Sequence, residues 1–358
     1  MTWLITGGAG FIGTHVVRAM RAAGERVAVY DDLSTGDPAR VPDGVPFVKG
    51  TVLDGALLRA TLRDLDITGV VHLAAKKQVG ESVERPLHYY RENVQGLRTL
   101  LEAVVDTAVR RFLFSSSAAV YGTPDVDLVT EGTPCVPVNP YGETKLAGEW
   151  LVRATGRAHG LTTACLRYFN VAGAADELLA DAGVFNLVPM VFEKLTDGEA
   201  PAVFGADYDT PDGTCVRDFI HVEDIASAHL AAARALSTRE AGSDLTVNIG
   251  RGEGVSVREM ITLIGEVTGY GPAAAPVTLP RRAGDPARVV ASVDRIHAEL
   301  GWTARYDTRA MVTSAWAGWC HRHPEARHPG RPLSHTGPRA TPTNDNEHLR
   351  TATNGNEC

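Results

Sequence analysis

The run Thr2-Trp3-Leu4-Ile5-Thr6-Gly7-Gly8-Ala9-Gly10-Phe11-Ile12-Gly13 decides how the rest of the chain is read. Its first five residues have the length and apolar character of a buried strand. Glycines at Gly7, Gly10 and Gly13 follow at once, and a helical pattern runs from Phe11 to Ala23. Strand, glycine turn and helix, in that order, form the phosphate-binding corner of a dinucleotide fold. Gly7 and Gly10 let the backbone turn tightly and approach a pyrophosphate. Gly13 lets the helix lie close to the sheet. The helix N-terminus then offers free N–H groups and a positive dipole to the phosphates.

A second strand is expected at Arg26–Tyr30, and Asp31 ends it, 18 residues after Gly13. A carboxylate there accepts hydrogen bonds from ribose hydroxyls and repels a 2′-phosphate. The cofactor is therefore read as NAD rather than NADP, with Asp32 beside Asp31 at the start of a turn. Further strands are expected at Val45–Lys49, Gly69–Leu73, Arg110–Ser115, Thr162–Tyr168 and Thr246–Ile249. Helices are expected from about Pro86 to Asp106, at Tyr141–His159 and at Val222–Leu236. Such alternation predicts an α/β fold: a Rossmann-type, doubly wound parallel sheet with helices on both faces. Residues 172–214 read as Gly- and Pro-rich loops, and Val255 to about His321 as a smaller C-terminal α+β lobe. The dinucleotide lobe is expected to take residues 1–168 and about 216–250, and the substrate lobe 169–215 and 251–322. From about His323 apolar periodicity vanishes, and residues 323–358 read as a disordered tail.

Composition fits this picture. The 358 residues are 44% hydrophobic and 22% charged, an ordinary globular balance. A formal net charge of −8 argues against a nucleic-acid surface. Five cysteines, Cys135, Cys165, Cys215, Cys320 and Cys358, form no C-x-x-C pair, so no zinc site or disulfide framework is expected. Five histidines between His321 and His348 have irregular spacing, and no metal site is assigned to them. Neither a signal peptide nor a membrane span is read in the chain, so a cytoplasmic protein is expected.

The second constellation is Tyr141-Gly142-Glu143-Thr144-Lys145, opened by Asn139-Pro140. A phenol and an ammonium four residues apart share one helix face. Free tyrosine has a pKa of about 10. A neighbouring cation, and an oxidised nicotinamide, would favour the phenolate and make it a base for a sugar hydroxyl. Upstream, Phe112-Leu113-Phe114-Ser115-Ser116-Ser117 brings a strand to a serine-rich end at the ligand-binding edge of the sheet. Ser117 can hydrogen-bond the same substrate oxygen. Ser115 and Ser116 read as strand-end hydrogen bonders.

With these parts in place, the sequence resembles the extended short-chain dehydrogenase/reductases, and among them the UDP-glucose 4-epimerases, from residue 1 to about 322. Beyond the strings above, the likeness rests on His72-Leu-Ala-Ala-Lys-Lys-Gln-Val-Gly-Glu-Ser82, Leu166-Arg-Tyr-Phe-Asn170, Val216-Arg-Asp-Phe-Ile-His-Val222 and Arg281-Arg-Ala-Gly-Asp285. The resemblance implies Tyr141 as base, Ser117 as its partner, and Lys145 on the nicotinamide ribose. It implies cofactor contacts from Gly7, Gly10, Phe11, Ile12, Gly13, Asp31, Asp32, Lys77, Asn93 and Tyr168. It implies a UDP-sugar held by Ser117, Asn170, Asn186, Arg217, Arg282 and Asp285, with Val289 bounding the sugar. The reaction implied is reversible 4-epimerisation through a 4-keto sugar, carried out by a homodimer.

The chain departs from the family pattern at Thr51, where an acidic residue commonly touches the adenine. Val289 is small, which leaves room for an N-acetyl group and so for UDP-GlcNAc and UDP-GalNAc. Ala118 and Ala119 beside Ser117 supply no acid, which disfavours a dehydratase or decarboxylase. A 4-epimerase of UDP-pentoses or UDP-uronates, and a non-catalytic NAD-binding sensor on the same fold, remain as alternatives.

Overall fold

The computed structural model describes residues 1–282 and 284–327. β1 (Thr2–Thr6) is buried along its whole length, as expected of a strand covered on both faces. β2 (Arg26–Asp31), β3 (Phe47–Lys49), β4 (Gly69–His72), β5 (Arg111–Ser117) and β6 (Thr162–Tyr168) follow. β7 (Asn170–Ala172), β8 (Ala202–Phe204) and β9 (Val216–His221) lie in the second lobe, so the chain rejoins the first lobe after β9 rather than at about residue 216, and β10 (Asp244–Ile249) then returns to the main sheet. The main sheet has seven strands in the order β3-β2-β1-β4-β5-β6-β10. Every neighbouring pair is parallel. Strand order reverses between β1 and β4, so a crevice opens at their carboxyl ends, where such sheets bind ligands.

Helices cover both faces. α1 (Phe11–Ala22) lies on one, and α2 (Gly55–Asp64) on the other. Two short helices, α3 (Val79–Glu84) and α4 (Pro86–Tyr89), precede a wider π-helical stretch at Tyr90–Gln95 and then α5 (Gly96–Val105). The expected long helix therefore exists, with a π-turn in its middle. Leu97, Leu100, Leu101 and Val104 pack with Leu58 and Leu62 of α2 in the core. α6 (Pro140–His159) starts where Asn139 accepts from Gly142 N at 2.9 Å, with Pro140 at the first position, and ends on left-handed Gly160.

The second lobe corrects the loop reading of residues 172–214. α7 (Leu187–Thr196) lies there and buries Val188, Val191, Phe192 and Leu195. Pro189, which reads as a loop residue, sits in the first turn, where its missing N–H has no intrahelical partner to lose. β9 pairs with β7, with β11 (Gly254–Ser256) and with β13 (Arg288–Val289), whereas β12 (Val277–Leu279) pairs with β8. α8 (Val222–Leu236) then leads back to β10 on the main sheet. α9 (Val257–Thr268) and α11 (Thr308–Arg322) pack with α7 around Phe192, Ile264 and Trp319. α10 (Asp294–Leu300) joins the α1 and α8 face through Ile296. A separate link joins the lobes: Val129, in the segment after β5, donates to Val290 O at 2.7 Å and accepts from Ser292 N at 2.8 Å.

The expected tail begins too early. His323 stacks on Trp319 at 4.3 Å, and Ala326, in a 3-10 turn at Pro324–Arg327, is buried in the same cluster. The rest of the predicted tail lies outside the described residues. Among the described residues no helix is long and apolar enough to cross a membrane.

The glycine turn gives a stability test. A Cβ on Gly13 would stand 2.0 Å from the Gly7 carbonyl oxygen, whereas one on Gly80 would meet nothing within 4 Å. Gly13→Ala is expected to cost about 3 kcal/mol or more, lowering Tm by roughly 4 °C or more. Gly80→Ala should leave Tm unchanged or slightly higher in the same calorimetric scan.

Candidate active site

Gly7 turns with φ +72° at the end of β1, and its N–H donates to Tyr30 O at 2.8 Å. A Cβ there would come within 2.8 Å of Ala74 N, so the turn is packed against the end of β4. Gly10 opens α1, and no side chain caps that end. Its first N–H groups are left for a ligand. Asp31 is buried and holds the turn: Oδ2 accepts from Ala9 N at 3.0 Å and Oδ1 from Leu33 N at 2.8 Å. Burial pushes its carboxyl up, against those N–H bonds. Its remaining acceptor positions suit ribose hydroxyls. Asp32 accepts from Ser34 N at 2.8 Å and lines an open cleft with Thr51, Leu53 and Lys76. Phe11 packs edge-on to His15, and Ile12 packs against the core. A bare helix end, a close-packed glycine turn and a carboxylate at the second strand fit a dinucleotide.

Ser117 ends β5, and its Oγ accepts from Ala119 N at 3.2 Å. It lies close enough to the Tyr141 phenol to favour that group's ionised form. Lys145 lies one turn along α6, buried, with Nζ donating to Ser115 O at 2.7 Å. Nζ stands 5.2 Å from the Phe114 ring centroid and 5.9 Å from that of Tyr141. The three side chains expected to do chemistry therefore meet at the same sheet edge as the glycine turn. The electrostatics differ from the sequence expectation. Burial raises the Tyr141 phenol above its ordinary value, and the neighbouring Ser117 pulls it part of the way down. Lys145 is itself pushed down to about 7 by desolvation. A ready phenolate thus needs further positive charge in the pocket.

Asn93 sits on the π-turn and braces the site. Its Oδ1 accepts from Lys76 N at 2.8 Å, and its Nδ2 donates to Lys76 O and to Thr144 Oγ1, both at 3.0 Å. Thr144 in turn donates to Tyr141 O at 2.8 Å. Sequence reading passed over Thr144, although its hydroxyl lies between phenol and ammonium in the string. Lys77 is half exposed, 4.0 Å from Asp181 Oδ2. The Tyr168 phenol points into the core, 2.5 Å from His229 Nε2, so only its backbone is left to meet a cofactor.

The remaining predicted residues gather in the second lobe. Asn186, at the start of α7, donates to Asp181 Oδ2 at 3.4 Å. Asp181, which no motif marks, thus stands between Lys77 and Asn186. Arg217 donates to Pro286 O at 2.8 Å and lies 3.9 Å from Asp285. Val289 is its direct neighbour across the β9–β13 pair, and is buried beside Phe169 and Leu146. The Arg282 guanidinium lies 3.5 Å over the Phe204 ring, a residue sequence reading also missed. Asn170 is exposed at the start of β7. Of the tail histidines, His321 and His323 lie within 3.5 Å of Glu177 and Glu325 respectively, and the other three fall outside the described residues.

A phosphate-binding turn and a Ser–Tyr–Lys set on one edge of a parallel sheet define a dinucleotide-dependent enzyme of the short-chain dehydrogenase/reductase type. The chain belongs to the NAD dependent epimerase/dehydratase family, whose pattern it matches over residues 3–250. It is 43% identical over 321 residues to a UDP-glucose 4-epimerase of Azospirillum brasilense, spanning 88% of this chain and 91% of that one. Its fold matches the UDP-glucose-4-epimerase of Stenotrophomonas maltophila, solved with NAD and formylated UDP-arabinopyranose, with TM-score 0.85 and 36% identity. That match covers 90% of this chain and 99% of the other. It likewise matches UDP-glucose 4-epimerase from Bifidobacterium longum, solved with NAD+ and UDP. There the TM-score is 0.83 at 36% identity, over 91% of this chain and 100% of the other.

The buried ammonium makes stability depend on pH. Below about 7 both folded and unfolded chains carry the Lys145 proton, and its burial cost is felt in full. As pH rises from 7 towards 10.5 only the unfolded chain keeps the proton, so that cost fades, by up to about 1.4 kcal/mol per pH unit. Lys145→Met should therefore stabilise the protein most at pH 6 and least near pH 10. Urea melts of both proteins across that range check the sign.

Proposed function

We propose that the protein interconverts UDP-glucose and UDP-galactose by inverting C4 of the sugar, with NAD held in the site throughout turnover. One arrangement carries this reading: the Tyr141 phenol beside Ser117 and the Lys145 ammonium, set at the sheet edge that also carries the glycine turn. When bound, oxidised NAD supplies the acceptor that takes a hydride from C4 and gives it back, so the reaction has no net redox. Gly7, Gly10, Phe11, Ile12 and Gly13 hold the pyrophosphate against the bare end of α1, and Asp31 takes the ribose hydroxyls. Lys77 and the Asn93-braced backbone complete the cradle, with Tyr168 contributing main chain only. Lys145 holds the nicotinamide ribose. Tyr141 takes the proton of the 4-hydroxyl, and Ser117 steadies the oxygen between them. Positive charge brought by the oxidised nicotinamide offsets the burial that raises the free phenol.

Asn170, Asn186, Arg217, Arg282 and Asp285 grip the UDP moiety. Guanidinium groups fork onto phosphate oxygens, and the carboxylate accepts from ribose hydroxyls. The 4-keto sugar swings about its diphosphate link while that grip holds. Val289 leaves room at the sugar for an N-acetyl group, so UDP-GlcNAc and UDP-GalNAc are substrates as well. UDP-pentoses and UDP-uronates are the runner-up substrates, and a non-catalytic NAD-binding sensor is the alternative class.

Purified protein, given several UDP-sugars and no added NAD, tests the reading. Epimerisation of UDP-glucose is expected. Tyr141→Phe should lower kcat by about 10³-fold or more with NAD still bound. Val289→Tyr should remove activity on acetylated sugars and spare UDP-glucose. Bound NAD with no turnover on any UDP-sugar would favour the sensor.

We further infer a cytoplasmic homodimer. Val83, Leu87 and Trp150 are exposed on α3, α4 and α6, and α3 and α4 both pack against α6. Apolar exposure of this size on adjoining helices suits an interface between two copies. Sedimentation velocity should show a dimer for the native protein and a monomer for Trp150→Glu.

A further inference from the structure

One more side chain on the working face of α6 has no part in the proton transfer described above. Glu149 follows Lys145 by four residues and Tyr141 by eight, so the three stand in a row. Its carboxylate is fully buried, a costly placement unless its oxygens are filled. They are. Oε1 accepts from the Ser116 hydroxyl at 2.6 Å and from Arg167 Nε at 2.8 Å. Oε2 accepts from Arg167 Nη2 at 2.7 Å and from the Arg153 guanidinium.

Arg167 carries the network onward. Buried on β6, it donates from Nη1 to Tyr121 OH at 2.8 Å, and the Tyr121 phenol donates to Asn248 Oδ1 at 2.6 Å. Ser116 precedes Ser117 directly. Tyr121 closes the 3-10 turn that follows it. The carboxylate therefore grips the helix that carries Tyr141 and both flanks of the serine that meets it. The Lys145–Ser115 bond is another polar tie between α6 and this strand end.

We propose that Glu149, acting through Ser116 and Arg167, is a positioning residue that sets the spacing between the Ser117 hydroxyl and the Tyr141 phenol. The assignment rests on the 4-epimerase reading. Its force comes from how steeply proton transfer depends on placement: a displacement of about 1 Å can cost 10²-fold.

The test uses Ser116→Ala and Glu149→Gln, singly and together, on the NAD-loaded enzyme with UDP-glucose. Ser116→Ala should lower kcat about 10-fold, and Glu149→Gln about 30-fold or more. KM should stay within about threefold and bound NAD should be retained, because both side chains are buried against protein partners. The double variant should be no slower than Glu149→Gln alone, since Ser116 acts only through its bond to Glu149. Native kcat in folded Ser116→Ala, or losses that multiply in the double variant, would overturn the assignment. If Glu149→Gln does not fold, Ser116→Ala decides by itself, because it deletes one hydroxyl. A native enzyme inert to every UDP-sugar would overturn the 4-epimerase reading, and this assignment with it.

Discussion

The site depends on an ammonium kept out of water. Lys145 Nζ lies under α6 and against β5, with the Ser115 carbonyl at 2.7 Å. That contact fixes the helix over the strand end, and everything chemical in the site is arranged about it. Tyr141 sits one turn before it on α6. Ser117 sits two residues beyond its carbonyl partner on β5. Desolvation pushes Lys145 down to about 7, so the fold sets its ammonium on the edge of losing its proton. A neighbouring anion would hold that charge. Lys145 meets a carbonyl and two aromatic rings, Phe114 and Tyr141.

Buried polar groups around this ammonium are satisfied in turn. Asn93 ties the segment after β4 to α6, and Glu149 ties α6 to β5 and β6. Neither network is a surface ion pair of the weak kind. Both lie where a lost partner would leave a buried donor or acceptor unfilled. The site is therefore stiff at its base, on the helix and strand ends. Asn186 and Arg282, in contrast, are exposed.

Much of this was legible because it is local. The strand, glycine turn and first helix occupy consecutive residues, and Asp31 follows from strand length. Tyr141 and Lys145 share a face by helical geometry alone. What escaped was tertiary. Glu149 reads as one more charged residue on a surface helix, and its burial depends on Ser116 and Arg167, from other parts of the chain. α7 was hidden by Pro189, whose position in the first turn cannot be seen from composition. Tyr168 lies in a motif that matches the family, but the motif does not say whether side chain or main chain makes the contact. The phenol in fact meets His229. The tail boundary was set too early because the stacking of His323 on Trp319 involves a residue that ends the preceding helix.

The π-turn at Tyr90–Gln95 has a geometric consequence of its own. Each residue advances an α-helix by about 100°. A stretch that absorbs one surplus residue throws the following segment out of phase with the preceding one by about that angle. The same rod thus turns Leu87 towards solvent and Leu97 towards the interior. The phase slip lets a single helical run serve two sides of the molecule, with Asn93 at the pivot.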